Sequence, residues 1–527
     1  MMVPDRRVVE PRVVGRDTLS LGRAWAIGLM LLVQCSLAFY WGNQLISHRA
    51  VRADALHNMQ VAYNLARYGE FSDSVRSKMG SETVRTPTMF REPFPIFALA
   101  GWLRLNFYDL AEADPRVING QPPLVALKQI NIVWTILTIA LSFFAARLLT
   151  GSSLAGLLAS TACLLTVGLD SYQINNLNTE PIAGALILAT SYALARGVIQ
   201  PRFQWSALAG ALLGATILTK AIILYALPVI VIGLVLLLKW KTQRWGAAFA
   251  QGTVLLIVSI LVFAPWIARN AYTFGEPHIA GRSGIILYKR MLLDRMPVDS
   301  YVASFYVWAP DPVRPTLERL FGFSHADLEQ GGAGQRLNRS SSSSFAKEDR
   351  AAEIGARPDL AITYKARTGA EWRLRARAFA SEGLEEPANL SDQSMRSEAI
   401  SEIAQMPVRH LAISVPLFWR GIWVNSVPFW LAPILSIGLI CALLVGLVQR
   451  NFAIIAFTSL SVVTLILYVS FSHNIPRYTQ PLVPVMLVCV AVLVVTNKIR
   501  RASVRLASLI LSGSAAILRG SAASGGR

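Results

Sequence analysis

Long apolar runs recur along the chain, and they limit its possible folds more than any other feature. A helix needs roughly 20 apolar residues to cross about 30 Å of hydrocarbon. About ten runs meet or approach this length, at 25–46, 126–148, 152–169, 181–198, 205–219, 221–238, 246–266, 428–449, 452–471 and 479–497. The runs at 205–219 and 221–238 are short and could form one kinked helix. The pattern predicts an all-α integral membrane protein, a polytopic bundle of about ten and up to about twelve transmembrane helices.

The distribution of charge predicts how this bundle is oriented. The chain of 527 residues has 54% hydrophobic and 15% charged residues and a net charge of +19, a composition that excludes an ordinary soluble enzyme. Basic residues fill the short turns at one end of the predicted spans: Arg147, Arg196, Arg202, Lys239, Lys241, Arg244 and Arg450. Because positive turns favour the cytoplasmic side, we expect both termini there. The charge then needs no nucleic-acid partner.

This topology divides the chain into five segments. We expect a basic cytoplasmic N-terminus at 1–23, a transmembrane module at 24–266 with a first outer loop at 47–125, an outer segment at 267–427, C-terminal spans at 428–497 and a basic cytoplasmic tail at 498–527. A cleaved signal peptide is the alternative for the first run. A retained anchor is favoured because the apolar core is long and no clean cleavage site follows it.

The outer segment is long enough for a small domain. Its part near 331–344 is rich in Gly and then in Ser, which predicts a flexible loop. Helical spacing follows at 370–380 and 397–412. The stretch 411–430 is rich in Trp and Phe around Arg420, which predicts an amphipathic helix at the membrane interface. A further span is the alternative there.

Residues that carry chemistry are rare inside the spans. The four cysteines fall within the runs and indicate apolar fillers rather than disulfides or a metal cluster. Apart from Lys220, ionisable side chains avoid the span centres, whereas a coupled transporter usually places Asp, Glu or His there. The sequence therefore predicts that the protein functions at the outer surface of the membrane.

The first outer loop contains the most informative polar residues. Asp54 precedes an amphipathic stretch at 55–68 that ends at Gly69, which predicts a helix with Asp54 at its N-cap. Capping alone would contribute about 1 kcal/mol. Farther on, Arg91, Glu92 and Pro93 lead into a second apolar helix at 96–107. Two half-buried helices on one loop predict a surface that holds a substrate at the membrane.

Short motifs follow one another at the outer ends of the spans. They are Asp54 with VAYNLARYGEF, REPFPIFALAGWL from Arg91, Asn178-Thr179-Glu180-Pro181, Gly210 and Gly214 through Lys220, Pro265-Trp266 with Arg269-Asn270, and Arg477-Tyr478 with Pro481 and Pro484. In this order they resemble the membrane glycosyltransferases that use polyprenyl-phosphate sugars, the GT-C class that includes protein O-mannosyltransferases and aminoarabinose transferases. The similarity covers about 24–497 and implies a GT-C-like helical bundle.

The resemblance implies that an acceptor hydroxyl attacks the anomeric carbon of a polyprenyl-phosphate sugar with inversion. Asp54 is then the expected general base. The expected donor phosphate-binding residues are Arg91, Lys220, Arg269, Arg477 and Tyr478. For these residues the alternative is a structural role, as interface anchors or at a helix break.

Five further residues are candidates for acceptor binding or for support of the site: His57, Glu92, Asp170, Glu180 and His473. His57 would share a helical face with Asp54, and a solvated surface histidine is the alternative. Glu180 could instead favour a helix N-terminus through the helix dipole. Asp170 and Glu180 show no recognisable metal spacing, so no metal site is predicted and metal dependence stays open.

Two other functions stay as alternatives, a lipid-linked sugar flippase or other transporter, and a non-catalytic assembly factor of the same fold. For a transferase, the expected partners are the bilayer, the lipid-linked donor and a glycan, lipid or protein acceptor. The absence of organelle signals fits a bacterial inner membrane, with the site on the periplasmic face.

Overall fold

The computed structural model describes residues 21–74, 86–106, 119, 122–384 and 386–496. Within these ranges the chain is helical, and its only β-type pairing is an isolated bridge between Ser72 and Pro87. Helices α1 to α10 are Leu21–Leu45, Ala53–Tyr68, Pro93–Asn106, Pro122–Thr150, Ser153–Cys163, Ser171–Asn175, Glu180–Ile199, Phe203–Ile217, Leu227–Thr242 and Trp245–Phe274. Helices α11 to α20 are Ser283–Asp294, Val298–Val307, Arg314–Phe321, Ala346–Gly355, Tyr364–Ser381, Pro387–Gln405, Pro407–Ile422, Leu431–Val448, Phe452–Phe471 and Pro476–Thr496. The predicted all-α class is confirmed.

The apolar helices form the bundle of an integral membrane protein. Among the helices of the described residues, eight are long and apolar enough to cross a membrane: α1, α4, α7, α9 with the turn before it, α10, α18, α19 and α20. Two shorter apolar helices are α5, extended by a π-helical turn to Gly168, and α8. Each predicted run coincides with one of these helices, because length and apolarity alone identify a segment that can span a membrane. The predicted basic tail at 498–527 and most of 1–23 lie outside the described residues.

The helical path is interrupted at Lys220, so the region 205–238 forms two short helices and not one kinked helix. Helix α8 ends at Ile217, a 3-10 helix occupies Ala221–Ala226, and α9 begins at Leu227 with a proline in its first turn. The backbone N–H of Phe94 donates to the carbonyl of Leu218 at 3.2 Å. Helix α3 of the first loop therefore satisfies a carbonyl group that the break would otherwise leave unpaired.

A close contact between α8 and α10 depends on glycine. A Cβ added at Gly210 would lie 2.6 Å from the carbonyl oxygen of Leu255. A hydrogen bond also joins the two helices at this point, since Ser259 Oγ of α10 donates to the backbone oxygen of Gly210 at 3.0 Å. Small residues allow helix backbones to approach within a membrane. The Gly210–Gly214 pattern thus has a packing role.

A buried ion-pair network fixes the polar segment after α10 onto the bundle. Arg290 of α11 is fully buried and pairs with Asp294. It also donates to the carbonyl of Ser470 in α19 at 3.1 Å and to that of His410 in α17 at 2.7 Å. His410 Nδ1 lies 2.7 Å from Asp294 Oδ2. Three helices from distant parts of the chain are thereby held together.

The polar segment follows its predicted pattern in part. The stretch 370–380 lies within α15, and the stretch near 331–344 has turns and a short 3-10 helix at Gln335–Leu337. The predicted helical stretch at 397–412 is wrong in its continuity. Helix α16 ends at Gln405 and α17 starts at Pro407, because proline has no N–H to continue a helix and is well suited to start one.

Helix α17 has two different faces, as the amphipathic prediction required. Val408, Leu411 and Val415 are exposed, and they recur at spacings that place them on one side of the helix. His410 and Arg420 are buried on the other side. The helix ends at Ile422, so the predicted stretch to 430 is helical only in its first part.

Candidate active site

Asp54 lies near the start of α2, and its carboxylate binds two arginines. Oδ1 accepts a hydrogen bond from Arg91 Nη2 at 2.8 Å, and Oδ2 accepts one from Arg477 Nη1 at 2.9 Å. The prediction that Asp54 caps the helix is wrong, since the N-cap is Arg52 and no side chain caps it. The reason is that both carboxylate oxygens are directed towards guanidinium groups. Asp54 still keeps 37% of its side chain exposed, so a ligand can reach it.

The backbone before Asp54 is strained. Ala53 has a φ of 50°, in the left-handed region that non-glycine residues rarely adopt. Such strain persists only where surrounding contacts enforce it, and it is concentrated at functional sites. The pair of arginines on Asp54 is a contact of this kind.

Arg477 connects Asp54 to a second carboxylate. Its Nε donates to Glu180 Oε1 at 2.8 Å, and Lys220 Nζ donates to the same oxygen at 3.2 Å. Glu180 is buried, and its other oxygen, Oε2, has no partner within the described residues. This charge cluster therefore contains Arg91, Asp54, Arg477, Glu180 and Lys220.

The sequence places these charges together because each lies beside the start of a helix at one end of the bundle. Arg91 stands two residues before Pro93, and Glu180 is followed by Pro181 at the start of α7. Arg477 follows Pro476 at the start of α20. Proline favours the first turn of a helix, and the partial positive charge there favours a nearby carboxylate such as that of Glu180.

The charge of Asp54 depends on its arginines. Burial alone would raise the pKa of this carboxyl group. The charges and hydrogen bonds of Arg91 and Arg477 act in the opposite direction and hold the pKa well below its usual range. Asp54 is therefore ionised at neutral pH, as a group that accepts a proton must be.

His57 supports Arg91 rather than standing free on the surface. Arg91 Nε donates to His57 Nδ1 at 2.8 Å, and His57 Nε2 lies 2.9 Å from Asp73 Oδ2. Since an arginine N–H can only donate, Nδ1 accepts and the ring proton is on Nε2. The hydrogen bond from His57 is the largest effect that lowers the pKa of Asp73. Of the functions considered for His57, these contacts fit support of the site rather than a solvated surface position.

Arg269 lies apart from the charge cluster. Its Nη1 donates to the carbonyl of Thr88 at 3.0 Å and to Asn270 Oδ1 at 2.8 Å. The guanidinium group also lies over the rings of Trp266 and Phe274, at 4.8 and 5.0 Å from the centroids. Arg269 thus holds the loop residues that precede Arg91 against α10, and it anchors the span formed by α10.

The other predicted residues surround the cluster. Asp170 caps the short helix α6 through Oδ1, and its Oδ2 accepts from Gln480 Nε2 at 3.2 Å. Burial raises the pKa of Asp170. Glu92 is half-buried, and no hydrogen bond or ion pair joins its carboxylate to another described residue. The ring of His473 packs edge-on against Tyr478 at 5.4 Å.

A small cavity adjoins the buried side of the cluster. It has a volume of about 10 Å³, and it lies between α4, α7 and the start of α20. Its lining residues are Thr135, Thr138, Val167, Gln173, Glu180, Pro181, Gly184, Gln480 and Pro484. Glu180, with its unpartnered oxygen, faces this space. No group of His, Cys, Asp and Glu in the described part of the chain could hold a metal ion.

Two residues near the cluster escaped the sequence prediction. Asp73 lies in a polar loop that gives no pattern, and it enters the site only through His57. Arg282 stands at the start of α11 over the ring of Phe90, 5.3 Å from its centroid. Burial, followed by the charge of Arg91, lowers the pKa of Arg282. Neither residue has a motif, because long-range packing alone brings it to Arg91.

Comparison with solved structures finds similar chains at low identity. Archaeal oligosaccharyltransferase AglB from Archaeoglobus fulgidus, in complex with an inhibitory peptide and a dolichol-phosphate, is 11% identical, with a TM-score of 0.49 over 92% of this chain and 52% of that one. The present chain thus spans about half of that protein. ArnT from Cupriavidus metallidurans is 14% identical in its apo state, with a TM-score of 0.35 over 90% and 78% of the two chains. ArnT bound to undecaprenyl phosphate gives the same identity and TM-score.

Comparison with protein families matches one part of the chain. Residues 118–268 match the family described as dolichyl-phosphate-mannose-protein mannosyltransferase. A search of curated proteins gives no match. The matched part contains Asp170, Glu180 and Lys220, whereas Asp54 and Arg477 lie outside it. Over residues 118–268 the chain is similar to a family of membrane glycosyltransferases, and the resemblance predicted from the motifs is confirmed.

Proposed function

We propose that the chain transfers a sugar from a polyprenyl-phosphate donor to an acceptor hydroxyl on the extracytoplasmic side of the membrane. The similarity of residues 118–268 to a dolichyl-phosphate-mannose-protein mannosyltransferase family supports the class of donor. The observation that carries the proposal is the ionised, partly exposed Asp54 held between Arg91 and Arg477. A carboxylate so placed can accept a proton from a hydroxyl group at the membrane surface.

The reaction requires that one bond forms as another breaks. The acceptor oxygen attacks the anomeric carbon of the sugar, and the bond from that carbon to the phosphate oxygen breaks. The bonding electron pair leaves with polyprenyl phosphate. As the new bond forms, the acceptor hydroxyl becomes more acidic and gives its proton to Asp54. Attack opposite the leaving group inverts the anomeric configuration.

The charged neighbours of Asp54 have positioning roles in this proposal. Arg91 and Arg477 hold the carboxylate by one hydrogen bond on each oxygen, which leaves its remaining lone pairs for the acceptor hydroxyl. Glu180 and Lys220 fix Arg477 in turn. A base fixed before the acceptor arrives has less reorganisation to undergo during the reaction.

The removal of the Asp54 charge tests the proposal. We expect Asp54→Asn to lower the rate of sugar transfer about 10²- to 10⁴-fold, the usual contribution of a general base. Membranes or purified protein would be incubated with a panel of radiolabelled polyprenyl-phosphate sugars and with lipid, glycan and peptide acceptors. Asp311→Asn is the matched control, because Asp311 is 90% exposed in its side chain and pairs only with Arg314 of its own helix turn.

Three outcomes are informative. A loss of transfer in Asp54→Asn with normal transfer in Asp311→Asn supports the proposal. Equal transfer by Asp54→Asn and the wild type contradicts the assignment of Asp54. If the wild-type protein uses no donor in the panel, the transferase function itself is contradicted.

A further inference from the structure

Two short stretches of the first outer loop pair with each other beside the charge cluster. Residues 71–74 and 86–88, called the loop neck here, are joined by the isolated β-bridge. Ser72 Oγ also donates to the carbonyl of Thr86 at 2.6 Å. These contacts fix the backbone around Asp73, which is the acidic residue of the loop neck.

Asn64 fastens the loop neck to helix α2. Its side chain is buried, and its Nδ2 donates to the carbonyls of Ser72 and Ser74 at 2.8 and 3.0 Å. These are the residues on either side of Asp73. Asn64 follows His57 by seven positions, so both lie on one face of α2. The loop neck therefore holds Asp73 beside the ring of His57.

The carboxylate of Asp73 is oriented by contacts from two directions. Its Oδ2 lies 2.9 Å from His57 Nε2, and it also accepts from Thr88 Oγ1 at 3.4 Å. Thr88 is buried, and its carbonyl accepts from Arg269 of α10 at 3.0 Å. Contacts to α2 and, through Thr88, to α10 thus give Asp73 a fixed place although no helix contains it.

The hydrogen bonds of the His57 ring require one tautomer. Arg91 Nε can only donate, so His57 Nδ1 accepts at 2.8 Å and carries no proton. The ring proton is then on Nε2, where Asp73 is its acceptor. The tautomer of a histidine is set by the hydrogen bonds that its two ring nitrogens make. Asp73 therefore favours the tautomer that can bind Arg91.

This preference would be lost without the Asp73 carboxylate. A His57 ring with its proton on Nδ1 would present an N–H group to the N–H group of Arg91 Nε, and two donors form no hydrogen bond. Arg91 would lose its bond to His57 and keep the one to Asp54 Oδ1 at 2.8 Å. With one contact fewer, the guanidinium group would hold the Asp54 carboxylate less firmly.

We propose that Asp73 is a positioning residue of the candidate active site, which selects the His57 tautomer that holds Arg91 on Asp54. The effect of Asp73 on sugar transfer rests on the proposed function, whereas its effect on the His57 tautomer does not. Asp73 acts through two other side chains and does not itself contact Asp54. The loop neck is thus part of the structure that fixes the base before the acceptor arrives.

Nitrogen NMR of the His57 ring tests the tautomer without any need for transfer. The full-length protein with isotope-labelled histidine rings would be compared with Asp73→Ala, and His57→Gln would identify the His57 signals among the six histidines. We expect a neutral ring with its proton on Nε2 in the wild type and a loss of that preference in Asp73→Ala. Thr86→Val is the matched control, because it removes the contact to Ser74 Oγ within the loop neck and leaves the carboxylate in place.

Transfer rates then test the positioning role. We expect Asp73→Ala to lower kcat about tenfold, the effect of one hydrogen bond to a charged group, with the KM for the donor unchanged. Asp73→Asn should keep most of the activity, because its amide oxygen can also accept from His57 Nε2. In a His57→Ala background, Asp73→Ala should have no further effect, since Asp73 acts through His57. Thr86→Val should transfer at the wild-type rate.

The outcomes separate the carboxylate from the fold of the loop neck. Loss of the tautomer and of transfer in Asp73→Ala, with rescue in Asp73→Asn, supports the inference. The wild-type tautomer in Asp73→Ala overturns it. An equal loss of transfer in Thr86→Val also overturns it, and so does a further loss from Asp73→Ala in the His57→Ala background.

The two proposals fail in different ways. If the His57 tautomer depends on Asp73 but the wild-type protein transfers no sugar, the proposed function fails and the link from Asp73 to Arg91 stands. If Asp54-dependent transfer occurs and Asp73→Ala reacts at the wild-type rate, the positioning role fails and the proposed function stands.

Discussion

Asp54, in the first turn of α2, is partly buried and has two guanidinium partners, and the balance between burial and these charges sets its pKa. Burial favours the neutral acid, whereas Arg91 and Arg477 favour the carboxylate and prevail. His57 is bonded to Arg91 and so acts on Asp54 only through that arginine. His57, Arg91 and Asp54 thus form a chain of contacts in which His57 orients Arg91 and Arg91 orients Asp54.

Loss of Arg91 should make Asp54 easier to protonate. Arg91 lowers the pKa of Asp54, so Arg91→Gln should raise that pKa towards its ordinary value. If the reaction needs ionised Asp54, the wild type should keep its activity as the pH falls. The variant should lose its activity at a higher pH than the wild type, so the acid limb of its pH–rate profile moves to higher pH. Transfer rates measured from about pH 4 to 8 with saturating donor would show the shift.

Arg319→Gln provides the control for this measurement, since Arg319 is an exposed residue of α13 and is not one of the two arginines that bind Asp54. An unchanged acid limb in Arg91→Gln would mean that Asp54 does not set the pH dependence. A lower plateau with an unshifted limb would assign Arg91 to substrate binding instead.

At the scale of helices, the sequence was sufficient where a local rule governs the structure. Apolar length identified the spans. It left open whether 205–238 forms one kinked helix or two short ones, and the structure shows two helices separated at Lys220. The break at Met406 was missed because apolar residues at helical spacing continue on both sides of it. Only Pro407 indicated a new start.

For the candidate site, the sequence could predict which residues belong to it but not how they pair. Asp54, Arg91, Glu180, Lys220 and Arg477 each belong to a local motif beside a helix start, so the sequence could name them. Their pairing could not be predicted, because it depends on which helices pack together.

The α8–α10 contact gives a test of packing that is independent of catalysis. Gly210→Ala would place a Cβ 2.6 Å from the Leu255 oxygen. Backbone cannot move aside as easily as a flexible side chain, so we expect a loss of about 1–3 kcal/mol in stability. Thermal denaturation in one detergent would measure it as a lower midpoint.

Gly233→Ala in α9 is the matched control, because nothing lies within 4 Å of a Cβ added there. Alanine is the better helix former, so this variant should keep the wild-type midpoint or exceed it. Equal midpoints for the two variants would show that α8 and α10 do not approach as closely as the structure has them.

Across the whole molecule, the charge cluster and the basic turns lie at opposite ends of the bundle. Asp54, Glu180 and Arg477 meet at one end, although most of the chain lies between the first and the last. The turns at the other end carry basic residues, among them Arg202 and Arg244. If positive turns face the cytoplasm, the charge cluster faces away from it.

This orientation can be tested with single cysteines in a chain whose four native cysteines are replaced by alanine. Arg319→Cys lies at the end that holds Asp54, and Arg202→Cys lies in the turn between α7 and α8 at the other end; both positions are exposed. A maleimide that cannot cross membranes should label Arg319→Cys in intact cells. It should label Arg202→Cys only after the membrane is permeabilised, because basic turns are retained inside. The reverse pattern would place Asp54 on the cytoplasmic side, where a donor exposed on the extracytoplasmic surface could not reach it.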